Sequence, residues 1–240
     1  LKNCLAIPPV YIDIWLCHVN NTSKALETNI KPLLSSSEKA RLAATKNNNK
    51  RREFLISRSV MRHALSQKFE LAESEWEFIS KPNQPPIVTN LPQNTYLSLS
   101  HSNGLICFAI SSSPIGLDIE DTLKKRNFSA LSNLLMDSEE LRFFTDNRDK
   151  ESENFYRIWC AKEAYYKAIS ETKQSTTPLK NISVPSLLND PKQWFLYEAS
   201  NKQFQLSIFT KHKPTVINQH YYPMRTDETV FNLAITGQLK

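Results

Sequence analysis

A chain of 240 residues is long enough for one large domain or two small ones, and either buries a real core. Hydrophobic residues at 40% and charged residues at 22% describe a globular protein rather than a disordered one, and no run approaches the ~18 apolar residues of a membrane span. The net charge of +6 favours an anionic partner, while a total of 3 glycines (Gly104, Gly116 and Gly237) excludes a Walker loop or a Rossmann fingerprint.

Along the chain, Val10, Ile12, Ile14 and Leu16 alternate with polar or aromatic neighbours, as in a half-buried strand. Asp13 and His18 interrupt this run, and no basic leader or small-residue cleavage site accompanies it, so it is a poor signal peptide. Residues 21–34 read as a loop entering a helix, with Ser35–Ser37 as candidate caps ahead of Glu38. Helices are expected over 38–46 and 51–69. Lys39, Arg41, Lys46, Lys50, Arg51, Arg52, Arg58 and Arg62 crowd this segment, so an anion is expected to meet side chains here.

The segment from Lys81 to Pro86 carries three prolines and must be an extended loop. Thr95–Ser100 and Leu105–Ile110 flank Asn103-Gly104, a strong hairpin signal, and Ile115–Glu120 reads as a further strand. Helices are expected over 137–146, capped by Asp137 or Ser138, and over 153–170. After Pro178 the pattern turns to short strands at Trp194–Glu198, Phe204–Phe209 and Val230–Ile235. Cys4, Cys17, Cys107 and Cys160 form no CxxC pair, which points to buried thiols in a reducing cytoplasm. Two α+β halves are expected, residues 1–112 and 113–240, with a ligand cleft between them.

Two sets of side chains carry chemistry. Asp118 and Glu120 alternate on a predicted strand, so they share a face roughly 6–7 Å apart while Leu117 and Ile119 face the core. In the helix Phe155–Lys167, Glu163 and Lys167 stand at i,i+4, a spacing that also suits a plain surface ion pair. Lys162 lies in line with the apolar stripe, between Ile158 and Tyr165/Tyr166, where it must snorkel or meet an anion. Asp118, Glu120 and Glu163 together suit a hard cation such as Mg²⁺, with a diphosphate completing the shell and Lys162 and Lys167 beside it.

Gly116-Leu117-Asp118-Ile119-Glu120, the later Trp159-Cys160-Ala161-Lys162-Glu163-Ala164, and the earlier Ser98-Leu99-Ser100-His101-Ser102 and basic helix together resemble the Sfp-type 4′-phosphopantetheinyl transferases. The resemblance covers roughly residues 38 to 170 and implies two similar α+β lobes related by a pseudo-two-fold, with coenzyme A between them. It implies Asp118, Glu120 and Glu163 as Mg²⁺ ligands. Lys167 would reach the diphosphate, Lys162 would lie beside the metal, and His101 and Ser100 would touch coenzyme A. Arg52, or Arg51, would hold the 3′-phosphate with Lys39. Ser80-Lys81-Pro82 resembles a Gly-Lys-Pro adenine loop with Ser for Gly. The implied reaction is Mg²⁺-dependent attack of a carrier-protein serine on the β-phosphorus of coenzyme A, releasing adenosine 3′,5′-bisphosphate, with Glu163 as base directly or through water. An acyl or peptidyl carrier protein would be the partner, with no nucleic acid, no membrane and a monomeric, cytoplasmic enzyme. Phe128, Leu131, Leu134 and Leu135 are a candidate docking segment for it. Two rivals remain: a nucleic-acid-binding protein, and a non-catalytic carrier-binding module.

Overall fold

The computed structural model describes residues 9–82, 84–169, 171–189, 194–223 and 231–236. Cys4, Gly237 and the start of the strand expected at Val230 lie outside them. The first half runs β1 (Tyr11–His18), α1 (Lys24–Ile30), α2 (Ser36–Ala44), α3 (Asn48–Lys68), β2 (Phe78–Ile79), β3 (Ile87–Val88), β4 (Tyr96–Ser102) and β5 (Leu105–Ser111). Helix α2 begins where Ser35 and Glu38 form a capping box, and α3 where Asn47 accepts from the Lys50 N–H. The β4–β5 hairpin turns through Asn103 and Gly104 at φ 44° and 79°, the left-handed conformation that an Asn-Gly pair accepts.

The second half runs β6 (Ile115–Asp121), α4 (Phe128–Leu135), α5 (Ser138–Asp146), α6 (Glu151–Ala168), α7 (Glu171–Gln174), α8 (Val184–Asn189), β7 (Phe195–Ser200), β8 (Phe204–Thr210), β9 (Val216–Tyr221) and β10 (Ala234–Thr236). Asp137 and Glu140 make a second capping box at the start of α5. The strands form two four-stranded sheets, ordered β4-β5-β1-β9 and β10-β7-β8-β6. Strand alternation gives each sheet two apolar faces. Trp15, Cys17, Ile106, Phe108 and Ile110 pack under α3, with Ile56, Val60, Met61 and Ala64. Leu196 and Phe209 pack under α6, with Ala161 and Ala164. The inner faces meet in one core built from Ile12, Ile14, Leu16, Cys107, Leu117, Ile119, Leu206 and Ile208. The result is two α+β lobes stacked as helix, sheet, sheet, helix.

One boundary differs from the expected division at residue 112. Strand β9 leaves the second lobe and pairs parallel with β1, from Tyr11↔Val216 to Leu16↔Tyr221. Its register is fixed by Asp13, whose Oδ1 accepts from Asn218 Nδ2 at 2.8 Å while Oδ2 accepts from Lys68 Nζ at 2.8 Å. Tyr222 then joins the α3 core. Residues 216–222 therefore complete the first lobe.

Candidate active site

The two sheets meet along β4 and β6, and the site lies at that seam. Ser98, Ser100 and Ser102 alternate on the inner face of β4. Their hydroxyls accept from the N–H groups of Leu117 (2.8 Å), Ile119 (3.3 Å) and Asp121 (3.0 Å). These three donors would otherwise be unsatisfied edge groups of β6. With Leu117 and Ile119 turned into the inner core, Gly116, Asp118 and Glu120 face α6. A side chain at Gly116 would put its Cβ 1.9 Å from Ala164 O and 2.5 Å from Ala168 N. Cys160 Sγ lies 3.1 Å from Asp118 O. The small residues of the two motifs thus let strand and helix touch, and this contact brings distant charges together.

Asp118 is buried, and its Oδ1 accepts from Ser100 Oγ at 2.7 Å and Lys167 Nζ at 2.6 Å. Lys167 Nζ also lies 3.1 Å from Ser100 Oγ. Burial pulls the Lys167 pKa down, but Asp118 and then Glu163 outweigh it and hold the amine above the ordinary lysine value. Burial first, opposed by Lys167 and reinforced by Asp118 and Glu120, pushes the Glu163 carboxyl above the ordinary glutamate range. Glu120 is oriented by Trp159 Nε1 at 3.0 Å and Ser102 Oγ at 3.3 Å, with Arg126 Nη2 4.0 Å away. A cavity of about 420 Å³ opens beside Glu163, lined by Tyr166, Thr176 and Thr177 among others.

Among the described residues no group of three or more His, Cys, Asp or Glu side chains is drawn together closely enough to ligate a metal. The ammonium of Lys167 instead balances Asp118. The donor set nevertheless fits a hard cation in one respect: Asp118 Oδ2 is buried and has no hydrogen-bond partner. A buried carboxylate oxygen left bare is costly unless a cation or water meets it. Asp118, with Glu120 and Glu163, are the residues that would hold a divalent ion.

Lys162 is elsewhere. Its side chain is 2% exposed, its Nζ is 2.6 Å from Glu140 Oε2, and it donates to the carbonyls of Leu179 and Ile182. Of the two expectations for this lysine, to snorkel or to meet an anion, the structure takes the second, and the anion is a protein carboxylate. Glu140 also accepts from the N–H groups of Asp137 and Val184, so the pair ties α5, α6 and α8 together. The side chain leaves α6 toward α5 rather than toward β6, so it points away from the Asp118 site where contact with a phosphate is expected.

The remaining residues group on the first lobe. His101 projects to the α3 side of β4, its Nδ1 3.2 Å from Glu53 Oε1, and this histidine, despite burial, holds the Glu53 pKa below the ordinary value. Arg52 Nε pairs with Glu27 at 2.8 Å and its Nη2 donates to Thr22 O at 2.9 Å. Arg51 Nη1 caps the end of α2 through the carbonyls of Leu42 and Thr45. Arg58 and Arg62 reach the fully buried Glu38, at 2.9 Å and 2.6 Å. Burial, set against Glu38, pushes the Arg58 pKa down to about 10. Lys39 and Lys81 are exposed, and no ion pair involving either is formed among the described residues.

The sequence alone assigns no role to Ser98, Ser102, Glu140 or Arg126, although the two serines stand in the motif quoted above. The alternating serines were readable as a polar face on β4, and Asp137-x-x-Glu140 as a capping box. Their partners were not readable, since each lies on an element far away in sequence.

Residues 114–222 match the 4′-phosphopantetheinyl transferase superfamily. The chain is 28% identical over 130 residues to the 4′-phosphopantetheinyl transferase Sfp of Bacillus subtilis (strain 168), covering 54% of this chain and 56% of that protein. It is 27% identical over 130 residues to the 4′-phosphopantetheinyl transferase ffp of Bacillus subtilis, with the same coverage. A longer match, 24% identical over 198 residues, covers 78% of the chain and 81% of the 4′-phosphopantetheinyl transferase HetI of Nostoc sp. (strain PCC 7120). The chain thus spans little more than half the length of the two Bacillus relatives.

Proposed function

Because the chain belongs to the Sfp-type 4′-phosphopantetheinyl transferase family, we propose that it moves the phosphopantetheine arm of coenzyme A onto a serine of an apo acyl or peptidyl carrier protein in the cytoplasm, releasing adenosine 3′,5′-bisphosphate. The observation that carries this reading is the cluster at the sheet seam, where Asp118, Lys167 and Ser100 meet within hydrogen-bond distance and one carboxylate oxygen is left bare.

Lys167 is the ammonium placed to offset charge on the diphosphate and on the departing nucleotide. Glu163, directly or through a bound water, is the group to take the proton from the carrier serine. Asp118, Glu120 and Glu163 would hold Mg²⁺, which when bound neutralises and orients the diphosphate. On the first lobe, the exposed Lys39 and Lys81 are the ammonium groups for the nucleotide end, with His101 beside Glu53 as a further contact. Arg52 would have to share its guanidinium with Glu27, and Lys162 has no part in the chemistry. Leu123, ahead of α4, and Leu134, on it, are 65% and 67% exposed and are the apolar contacts for the carrier, while Phe128, Leu131 and Leu135 pack on the core beneath.

We place the nucleic-acid reading second, because Arg41, Arg51, Arg52, Arg58 and Arg62 all meet acceptors within the chain, which leaves that reading the exposed Lys39, Lys46 and Lys50 of the basic segment. Incubation with coenzyme A, Mg²⁺ and a panel of apo carriers, read by intact mass, tests the transfer. Mass gain on at least one carrier is expected, falling about 100-fold or more in Glu163→Gln. Carriers that bind without ever gaining mass would favour the non-catalytic module, and a near-wild-type Glu163→Gln would remove the base assigned here.

A further inference from the structure

The Ser80-Lys81-Pro82 segment is strapped to α2. The Ser80 N–H donates to Ser37 Oγ at 3.1 Å, and the Ser80 hydroxyl accepts from Arg41 Nη1 at 3.1 Å. The same Nη1 lies 3.2 Å from Lys81 O and 3.2 Å from Gln84 O. An Nη group carries two hydrogens, so three acceptors, from residues 80, 81 and 84, gather on one nitrogen. Ser80 is buried, whereas Lys81 beside it is exposed and carries its ammonium outward.

The strap is itself anchored. Ser37 and Arg41 are both on α2, whose first turn is closed by the Ser35 and Glu38 capping box. Glu38 is gripped by Arg58 and Arg62 of α3. A continuous set of contacts therefore runs from the long helix through Glu38 and α2 to Ser80, Lys81 and Gln84. Lys39 lies on the same short helix, so the spacing between the ammonium-bearing positions 39 and 81 is set by one rigid element.

Resting on the coenzyme A reading above, we propose that Arg41 is a positioning residue for the nucleotide end of coenzyme A. It holds Ser80, Lys81 and Gln84 from behind and does not itself touch the ligand's phosphates. The serine standing where a glycine is expected is then part of the device: its side chain supplies an acceptor that glycine lacks.

The test compares full-length wild type with Arg41→Ala by titration calorimetry, using coenzyme A and 3′-dephospho-coenzyme A, and follows amide exchange at Ser80, Lys81 and Gln84 without ligand. Loss of a charged hydrogen-bond donor should weaken both ligands by a similar factor, about tenfold, and speed exchange at the three amides. Arg41→Lys, which keeps the charge but not the fork, should recover part of the loss. In the transfer assay KM for coenzyme A should rise with kcat little changed. Should Arg41→Ala fail to fold, Ser37→Ala, which removes the acceptor of the Ser80 N–H, should give a smaller version of the same pattern. A penalty seen with coenzyme A alone would mean that Arg41 meets the 3′-phosphate directly and would overturn the proposal. So would unchanged binding of both ligands by variants that fold. If wild type binds neither ligand, the functional reading falls and this inference with it; if wild type binds and the variants match it, only the inference falls.

Discussion

Lys162 and Lys167 separate what a side chain does for the fold from what it does for chemistry. They are five positions apart on one helix, yet Lys162 is sealed against Glu140 and two carbonyls while Lys167 reaches the seam with 28% of its side chain exposed. Removing one member of a buried pair leaves the other charge stranded, at a cost of about 3–5 kcal/mol. Lys162→Met should therefore lower the denaturation midpoint sharply, with the folded fraction retaining near-normal kcat. Lys167→Ala also strands a buried carboxylate, Asp118, so a fall in midpoint is expected there too, but it should come with a large loss of transfer by the folded fraction in the same mass assay. A normal midpoint with lost kcat in Lys162→Met would return that lysine to the active site. The spacing of both lysines was legible in the sequence, and so was the choice facing Lys162, to snorkel or to meet an anion. Which anion was not, because Glu140 becomes its neighbour only when α5 folds back along α6.

Elements meet here through what is missing as much as through what is present. Gly116 is needed for space, with the main chain of α6 occupying the volume a methyl would take. Backbone atoms yield poorly, so Gly116→Ala should cost about 3 kcal/mol or more, measured by urea unfolding, and should loosen the Asp118 to Lys167 contact. The glycine was visible in its motif, but its reason was not, because no local pattern reports how near a helix will come. The returning strand β9 was equally hidden: Val216–Tyr221 has a mixed polar pattern, and its pairing depends on Asp13 more than on an apolar stripe. Although burial opposes it, hydrogen bonds from Lys68, Asn218 and His220 hold the Asp13 carboxyl below its ordinary value of 3.8. A depressed carboxylate contributes stability that is full above its unfolded pKa and is lost as pH falls through the folded one. Unfolding free energy should accordingly decline as pH drops from about 4 downward, and Asp13→Asn should be less stable at neutral pH and show a flatter acid limb. An unchanged acid limb in that variant would exclude Asp13 as the latch.

Across the whole molecule, one device occurs twice. In each half a capping-box glutamate, Glu38 or Glu140, is fully buried and is gripped by cations from the following long helix: Arg58 and Arg62 of α3, or Lys162 of α6. The expected likeness of the two lobes thus extends to individual charges. Chain order and hydrophobic period made the two lobes and most of their strands and helices legible beforehand. The shared inner core was not, since a residue's period states which face it occupies and not which sheet will cover it. The overall charge of +6 sets a further expectation: association with an acidic carrier should slow several-fold between about 50 and about 500 mM salt, measured by stopped flow. A rate indifferent to salt would rule out long-range steering. The seam between the sheets has a consequence of its own. At that edge the halves are joined by three serine hydroxyls, each a bond of about 1 kcal/mol, and not by a peptide ladder. Alternate amides of a single strand should therefore lose their deuterium protection at two speeds: Leu117, Ile119 and Asp121 early, and the intervening residues that face β8 late, a striped signature that a strand in the middle of a continuous sheet would lack.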